Sequence, residues 1–169
     1  AGGISTERDV SLVSGMGIYK ALKSKGHQVM LLDVFLGYEH DDWKDVFEKN
    51  VDWAASVGAI KDQNPDIDAV KALRPDWKKN FFGPHGIEIC QHADVVFMAL
   101  HGENGENGKI QACFDLNGIR YTGTDYVSSA ICMNKAISKD LFVTGGVPTP
   151  VGIRLKKGQT PDVKVPYPC

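Results

Sequence analysis

No run of apolar residues in this chain approaches the length of a bilayer span, and its start lacks the basic-then-apolar layout of a secretory leader. A cytoplasmic protein with no membrane partner is the resulting expectation. Cysteine is scarce: Cys90, Cys113, Cys132 and Cys169 show no C-x-x-C spacing, which removes zinc ribbons and dithiol redox motifs. All four read as free thiols, and Cys113 and Cys132, within apolar helical patterns, as small buried hydrophobes. Neither sign of charge dominates. With a formal net charge of -2 there is no basic footprint for nucleic acid. Internal repeats and low-complexity tracts are missing too, which sets aside solenoids and disordered linkers.

What is there is ordinary for a globular protein. Hydrophobic residues make up 43% and charged residues 24% of 169 positions, enough for one domain and the start of another. Val10, Val13, Gly17, Ala21 and Leu22 recur at helical spacing, predicting a helix from Thr6 to Lys25 with Ser5 or Thr6 at its cap and Gly26 at its end. Gln28 to Leu32 reads as a short buried strand ending at Asp33. Asp41 to Trp53 has the spacing of an amphipathic helix, and Ala69 to Leu73 that of a shorter one, in a stretch broken by Pro65, Pro75 and Pro84. Ala93 to Leu100 is a continuous apolar run, as in a strand covered on both faces of a parallel sheet. A Gly-rich loop, His101 to Gly108, follows it. Then come a helix Lys109 to Leu116, a strand Ile119 to Thr122, a helix Val127 to Val143 stopped by Gly145-Gly146, and a strand Val151 to Leu155 before a Pro-rich end.

Short apolar strands alternating with helices predict a parallel α/β sheet, in which ligands gather at the carboxyl ends of the strands. His101 directly follows one such strand, and Gly2-Gly3 reads as a strand-to-helix turn that puts Glu7 at the same edge. The turn is not G-x-G-x-x-G, and a carboxylate in the first helical turn repels a pyrophosphate. The same carboxylate suits an ammonium group. An ordinary acidic helix start is the plainer reading of Glu7 taken alone. Glu103 and Glu106 do not follow the calcium-loop spacing, so no metal site is expected, and Glu103 reads as a solvated charge. His101, polar and at the end of an apolar run, is a candidate for function or for a satisfied structural histidine.

Five blocks together resemble one family. Gly2-Gly3-Ile4-Ser5-Thr6-Glu7-Arg8-Asp9-Val10-Ser11-Leu12 is similar to the G-G-x-S-x-E-x-x-V-S signature of D-alanine–D-alanine ligases. So are Ala99-Leu100-His101-Gly102 with Gly105-Glu106-x-Gly108-x-x-Gln111, Tyr121-Thr122-Gly123, Met133-Asn134-Lys135 with Ser138-Lys139, and Pro148-Thr149-Pro150. Nothing between Glu39 and Glu88 matches a known block. The resemblance implies a Rossmann-like (pre-ATP-grasp) parallel sheet flanked by helices over residues 1–123 and the start of a central ATP-grasp domain over 124–169. It implies an ATP- and Mg²⁺-dependent ligase that activates one D-alanine as an acyl phosphate for attack by the amine of a second, in peptidoglycan precursor synthesis. Glu7 would hold the first ammonium, Val10 touch its methyl group, His101 lie near its carboxylate with Gly102 beside it, and Lys135 reach phosphate oxygens. Asn107 and Asn134 stand where the family has Asp; the second change bears on how Lys135 is oriented.

By the same resemblance, a first strand would precede the Gly-Gly turn, and its absence would leave a gap in the sheet. The remaining ATP machinery, with the Mg²⁺ ligands, would lie past Val165-Pro166-Tyr167-Pro168-Cys169, so these residues alone are expected not to catalyse ligation. A homodimer is the family's common form. Two other classes stand beside this one. A Rossmann-type oxidoreductase would use Asp33 as its ribose-binding acid, and a non-catalytic dimerisation module would use Trp43, Trp53 and Trp77 as its surface.

Overall fold

A computed structural model describes residues 1–160, in two compact units, Ala1–Ala130 and the described residues from Ile131 onward. The Pro-rich end and Cys169 fall outside the described residues. In the first unit, α1 (Arg8–Ser24) opens after the Gly2-Gly3 turn, where both glycines take left-handed backbone with φ of 79° and 83°. Short helices α2 (Ile67–Ala72) and α3 (Gly86–His92) follow, then α4 (Lys109–Leu116) and α5 (Tyr126–Met133). The Asp66 carboxylate caps α2 by accepting from the Ala69 amide.

The expected parallel Rossmann-like sheet is not formed. Among the described residues the only β pairing is a single parallel bridge, Val96 with Tyr121. Its two hydrogen bonds run from the Val96 amide to Arg120 O at 2.8 Å and from the Thr122 amide to Val96 O at 3.0 Å. The ladder stops there because the next amide, that of Met98, donates to the Thr122 hydroxyl at 3.2 Å instead of to a carbonyl. The Gln28–Leu32 run is extended but bonds only to Ala1: the Ala1 nitrogen donates to Leu32 O, and the Val34 amide to Ala1 O. Between this run and residues 93–99 lies a cleft of about 1100 Å³, lined by Leu31, Leu32, Val95, Phe97 and Ala99 and floored by Gly15 and Tyr19 of α1. The two apolar runs therefore face each other across open space, with no shared ladder.

The Ala93–Leu100 run is covered on one face, not on both. Val96, Met98 and Leu100 pack on a core of Val34, Phe82, Cys90, Ile110, Phe114 and Ile119, while Val95 and Phe97 are 55% and 49% exposed toward the cleft. That period of two is the signature of an extended chain half in contact with a core. Helix α4 supplies the opposite wall, with Ile110 and Phe114 one turn apart on its buried face.

Residues 39–88 are mostly turns held by a few polar anchors. The helix expected over Asp41–Trp53 reduces to one 3₁₀ turn at Trp43–Asp45. Asp52 accepts from the Ala54 amide, and the Tyr19 hydroxyl takes the Trp53 amide and donates to Val51 O. These bonds satisfy locally the backbone groups a helix would have paired. Arg74 is buried and donates to the carbonyls of Phe35, Asn80 and Phe81 at 2.6 to 3.0 Å. The three tryptophans pack on their own chain, Trp43 on His85, Trp53 on Tyr38 and Trp77 on Phe35.

The single helix expected over Val127–Val143 is two. Helix α5 ends at Met133, Asn134 takes an extended conformation, and its side chain accepts from the Ile137 amide to cap α6 (Lys135–Thr144). The strand expected at Val151–Leu155 is absent, and those residues are exposed with no regular pairing. Cys132, expected inside, is exposed on α5.

Candidate functional site

The Gly2-Gly3 turn is shaped by what surrounds it. The Gly2 amide donates to Ser11 Oγ at 2.8 Å, and Ser11 Oγ, fully buried, donates to Ala99 O at 2.7 Å. One hydroxyl thus fastens the turn and α1 to the end of the 93–100 run. Asp33 fills the space where a Gly2 Cβ would sit, at 2.5 Å. Its carboxylate accepts from the amides of Gly3, Phe35 and Leu36 and pairs with Arg8, whose other nitrogen donates to Gly3 O. Asp33 is committed to structure, which removes the ribose-binding role that an oxidoreductase would need.

These fastenings bring Glu7 to the His101 loop. Glu7 stands at the N-cap of α1 and is exposed. Gly102 has φ +72°, and a Cβ built on it would lie 2.7 Å from Glu7 Oε2 and 3.2 Å from Ser5 Oγ. Ser5 bridges the two segments: its hydroxyl donates to His101 O at 2.7 Å and accepts from the Glu7 amide at 3.2 Å. Val10, half-buried, lies three residues after Glu7 and so on the same side of the chain. Of the five residues expected in the site, Glu7, His101 and Gly102 are brought together, Val10 lies one helical turn from Glu7 in the same unit, and Lys135 is in the other unit.

The His101 ring is contacted from both sides. Ser14 Oγ lies 3.1 Å from Nε2, and Glu106 Oε1 lies 3.9 Å from Nδ1. Glu103 turns away and pairs with Lys109 at 3.0 Å, both exposed. The loop carrying His101 is held from below by buried Gln111, whose Nε2 donates to Gly105 O at 2.7 Å while its Oε1 has no partner among the described residues. Asn107, where the resembled family has Asp, accepts from the Lys109 amide and helps start α4.

Lys135 belongs to the second unit. It is exposed at the first position of α6, and Asn134 caps that helix as an Asp would. An ammonium beside the amide-rich start of a helix fits an anionic oxygen. Among the described residues no cluster of three or more His, Cys, Asp or Glu side chains is placed to hold a metal ion.

Sequence reasoning passed over Ser5, Ser11, Ser14, Arg8 and Gln111 as site-building residues. Spacing carried part of the signal: Glu7, Ser11 and Ser14 recur at i, i+4 and i+7, a polar stripe along one side of the helix.

The arrangement defines a small polar site able to pair an ammonium with a carboxylate at a helix start and to offer an imidazole to an opposite charge. Comparison with known proteins narrows this. The family model described as "D-ala D-ala ligase N-terminus" matches residues 1–124, and the chain belongs to that family. It is 42% identical over 172 residues to a D-alanine–D-alanine ligase of Lacticaseibacillus casei, covering 99% of this chain and 47% of that protein. It is 42% identical over 176 residues to one of Pediococcus pentosaceus, with 99% and 49% covered, and 36% identical over 154 residues to one of Magnetococcus marinus, with 91% and 35% covered. The chain thus spans about half the length, or less, of these curated relatives. No helix among the described residues is long and apolar enough to cross a membrane.

Proposed function

We propose that this chain is the amino-acid-binding part of a D-alanine–D-alanine ligase, and that Glu7, Val10, His101 and Gly102 take the first D-alanine. The observation that carries it is the approach of the Glu7 carboxylate to Gly102, beside His101, with Ser5 bonded to both segments. Glu7 supplies a fixed counter-charge for the ammonium, Val10 an apolar contact for the methyl group, and His101 a donor for the carboxylate. Gly102 keeps the space over Glu7 open. No proton needs to leave the ammonium here. These residues bind and orient, and orientation is what brings a carboxylate within reach of its reaction partner.

For the whole ligase we propose carboxylate activation by ATP as an acyl phosphate, followed by amine attack, in peptidoglycan precursor synthesis in the cytoplasm. Mg²⁺ and ATP enter as the family's cofactors, and Lys135 is the residue here proposed to contact phosphate. We also propose residues 1–123 as the substrate domain, residues 124–169 as the opening of the ATP-grasp domain, and a homodimeric ligase.

Titrating the ¹⁵N-labelled chain with D-alanine and separately with L-alanine tests the site. D-alanine is expected to shift the amides of Glu7, Val10, His101 and Gly102, and E7Q to abolish those shifts. Equal responses to both enantiomers, or shifts confined to other residues, would overturn the assignment.

A further inference from the structure

We propose that Ser14 is a positioning residue for His101: it places the single proton of the neutral imidazole on Nδ1 and so makes that nitrogen the donor the site offers. This rests on the reading above only for what the donor serves; the placement of the proton is argued from the two groups that flank the ring.

A serine in the middle of a helix ordinarily turns its hydroxyl back to the carbonyl four residues earlier. Ser14 does not. Its hydroxyl lies across from a side chain 87 residues away, 3.1 Å from His101 Nε2. A hydroxyl both donates and accepts, and in the arrangement proposed here Ser14 donates its hydrogen to the ring nitrogen standing 3.1 Å away. Accepting it, Nε2 must keep its lone pair, and a neutral imidazole then carries its hydrogen on the other nitrogen.

The opposite side of the ring agrees. Nδ1 faces the Glu106 carboxylate, an acceptor-only group whose charge favours a proton on the nearer nitrogen. At 3.9 Å the two are too far apart for a direct hydrogen bond, so Nδ1–H stays free to donate to a ligand or a water. With Ser5 holding the His101 carbonyl at 2.7 Å, the residue is fixed at its backbone and at one end of its ring, and the remaining end is the donor. The same serine recurs in the polar stripe Glu7, Ser11, Ser14, so one face of α1 positions the carboxylate and the imidazole together.

The test reads the tautomer directly. In the ¹⁵N-histidine-labelled chain, at a pH where imidazoles are neutral, long-range ¹H–¹⁵N correlation separates protonated from lone-pair nitrogens; H101Q assigns His101 among five histidines. His101 is expected with a protonated-type Nδ1 and a lone-pair-type Nε2. S14A is expected to move it to the Nε2–H form usual in water, and S14T to restore the original pattern. E106Q keeps the proposal open to test should S14A not fold, and is expected to lower the Nδ1–H fraction. A His101 in the Nε2–H form in the unaltered chain, a folded S14A that leaves its pattern unchanged, or, should S14A not fold, an E106Q that does so, overturns it. D-alanine shifts absent while this tautomer pattern holds would sink the substrate reading and leave the positioning role standing.

Discussion

At Gly102 two demands fall on one residue. Its backbone is left-handed, at φ +72°, and a methyl group there would press on Glu7 Oε2. The left-handed strain alone costs about 1–2 kcal/mol in any other residue. G102A is therefore expected to lose D-alanine binding in the titration above while unfolding only slightly earlier in denaturant; unchanged binding would show that Glu7 has room to move. Cysteine chemistry separates residues in the same way. Burial pushes the Cys90 thiol up to about 11, whereas Cys132 is exposed on α5. Since the thiolate is the reactive form, a disulfide reagent at neutral pH is expected to modify Cys132 quickly and Cys90 only on unfolding, as peptide mapping by mass would show. The helical pattern around Cys132 gave no sign of this exposure, because an apolar neighbourhood in sequence says which residues share a face and not whether anything covers that face. Glu7 and His101 were legible, each by its place at the end of a predicted element. The residues that aim them were not, because Ser5, Ser11 and Ser14 act through contacts 87 to 96 residues away.

Elements in this chain end where a side chain replaces a backbone partner. Asn134 splits one expected helix into α5 and α6, and Thr122 stops the Val96–Tyr121 pairing after a single step. Helix α1 shows the constructive side of the same substitution. Ser11 Oγ serves the Gly2 amide and the Ala99 carbonyl at once, inside a fully buried setting. Removing it in S11A leaves two buried polar groups unpaired, each worth about 1–3 kcal/mol. The variant is expected to unfold at markedly lower denaturant with an unchanged slope, and a midpoint equal to that of the unaltered chain would refute the role given to this hydroxyl. At the start of α5, Asp125 accepts from the Ser128 amide at 2.8 Å, and that bond holds its carboxyl below the ordinary 3.8. A lowered folded value contributes stability above the unfolded value and loses it as pH falls through the folded one. Hydrogen exchange at the Ser128 amide is therefore expected to speed up on acidification below about pH 4, beyond the intrinsic trend, and to be fast at all pH in D125A. Helix positions could be read from the sequence to within a few residues for α1 and α4; the strands could not, because β pairing depends on a neighbour that periodicity does not reveal.

For the unit Ala1–Ala130, what decides its behaviour is a cleft where the sequence led us to expect a sheet. The runs 28–32 and 93–100 are apolar enough for central strands, yet the first bonds only to Ala1 and the second forms a single β bridge, and Val95 and Phe97 stand 55% and 49% exposed along about 1100 Å³ of open space. Extended apolar segments with unpaired backbone groups recruit whatever offers matching surface. Dye binding reports such surface directly. The folded chain is expected to raise the fluorescence of a hydrophobic dye such as ANS under native conditions, and V95K/F97K to reduce that signal strongly while leaving the far-ultraviolet circular dichroism in place. Both side chains point away from the core formed by Val34, Phe82, Ile110 and Phe114, so the charges are added to solvent-facing positions and the core contacts survive. If dye binding persisted in the double variant, the exposed apolar surface would have to lie elsewhere on the chain. The site stands apart from this opening. Ser11 clamps α1 to Ala99 at the near end of the same run, and the Arg8–Asp33 pair holds the Gly2-Gly3 turn. Breaking that pair by R8A leaves the half-buried Asp33 carboxylate with its backbone amides alone and is expected to lower stability measurably. It should unfold the Glu7 turn, whereas V95K/F97K should leave D-alanine shifts at Glu7 and His101 intact.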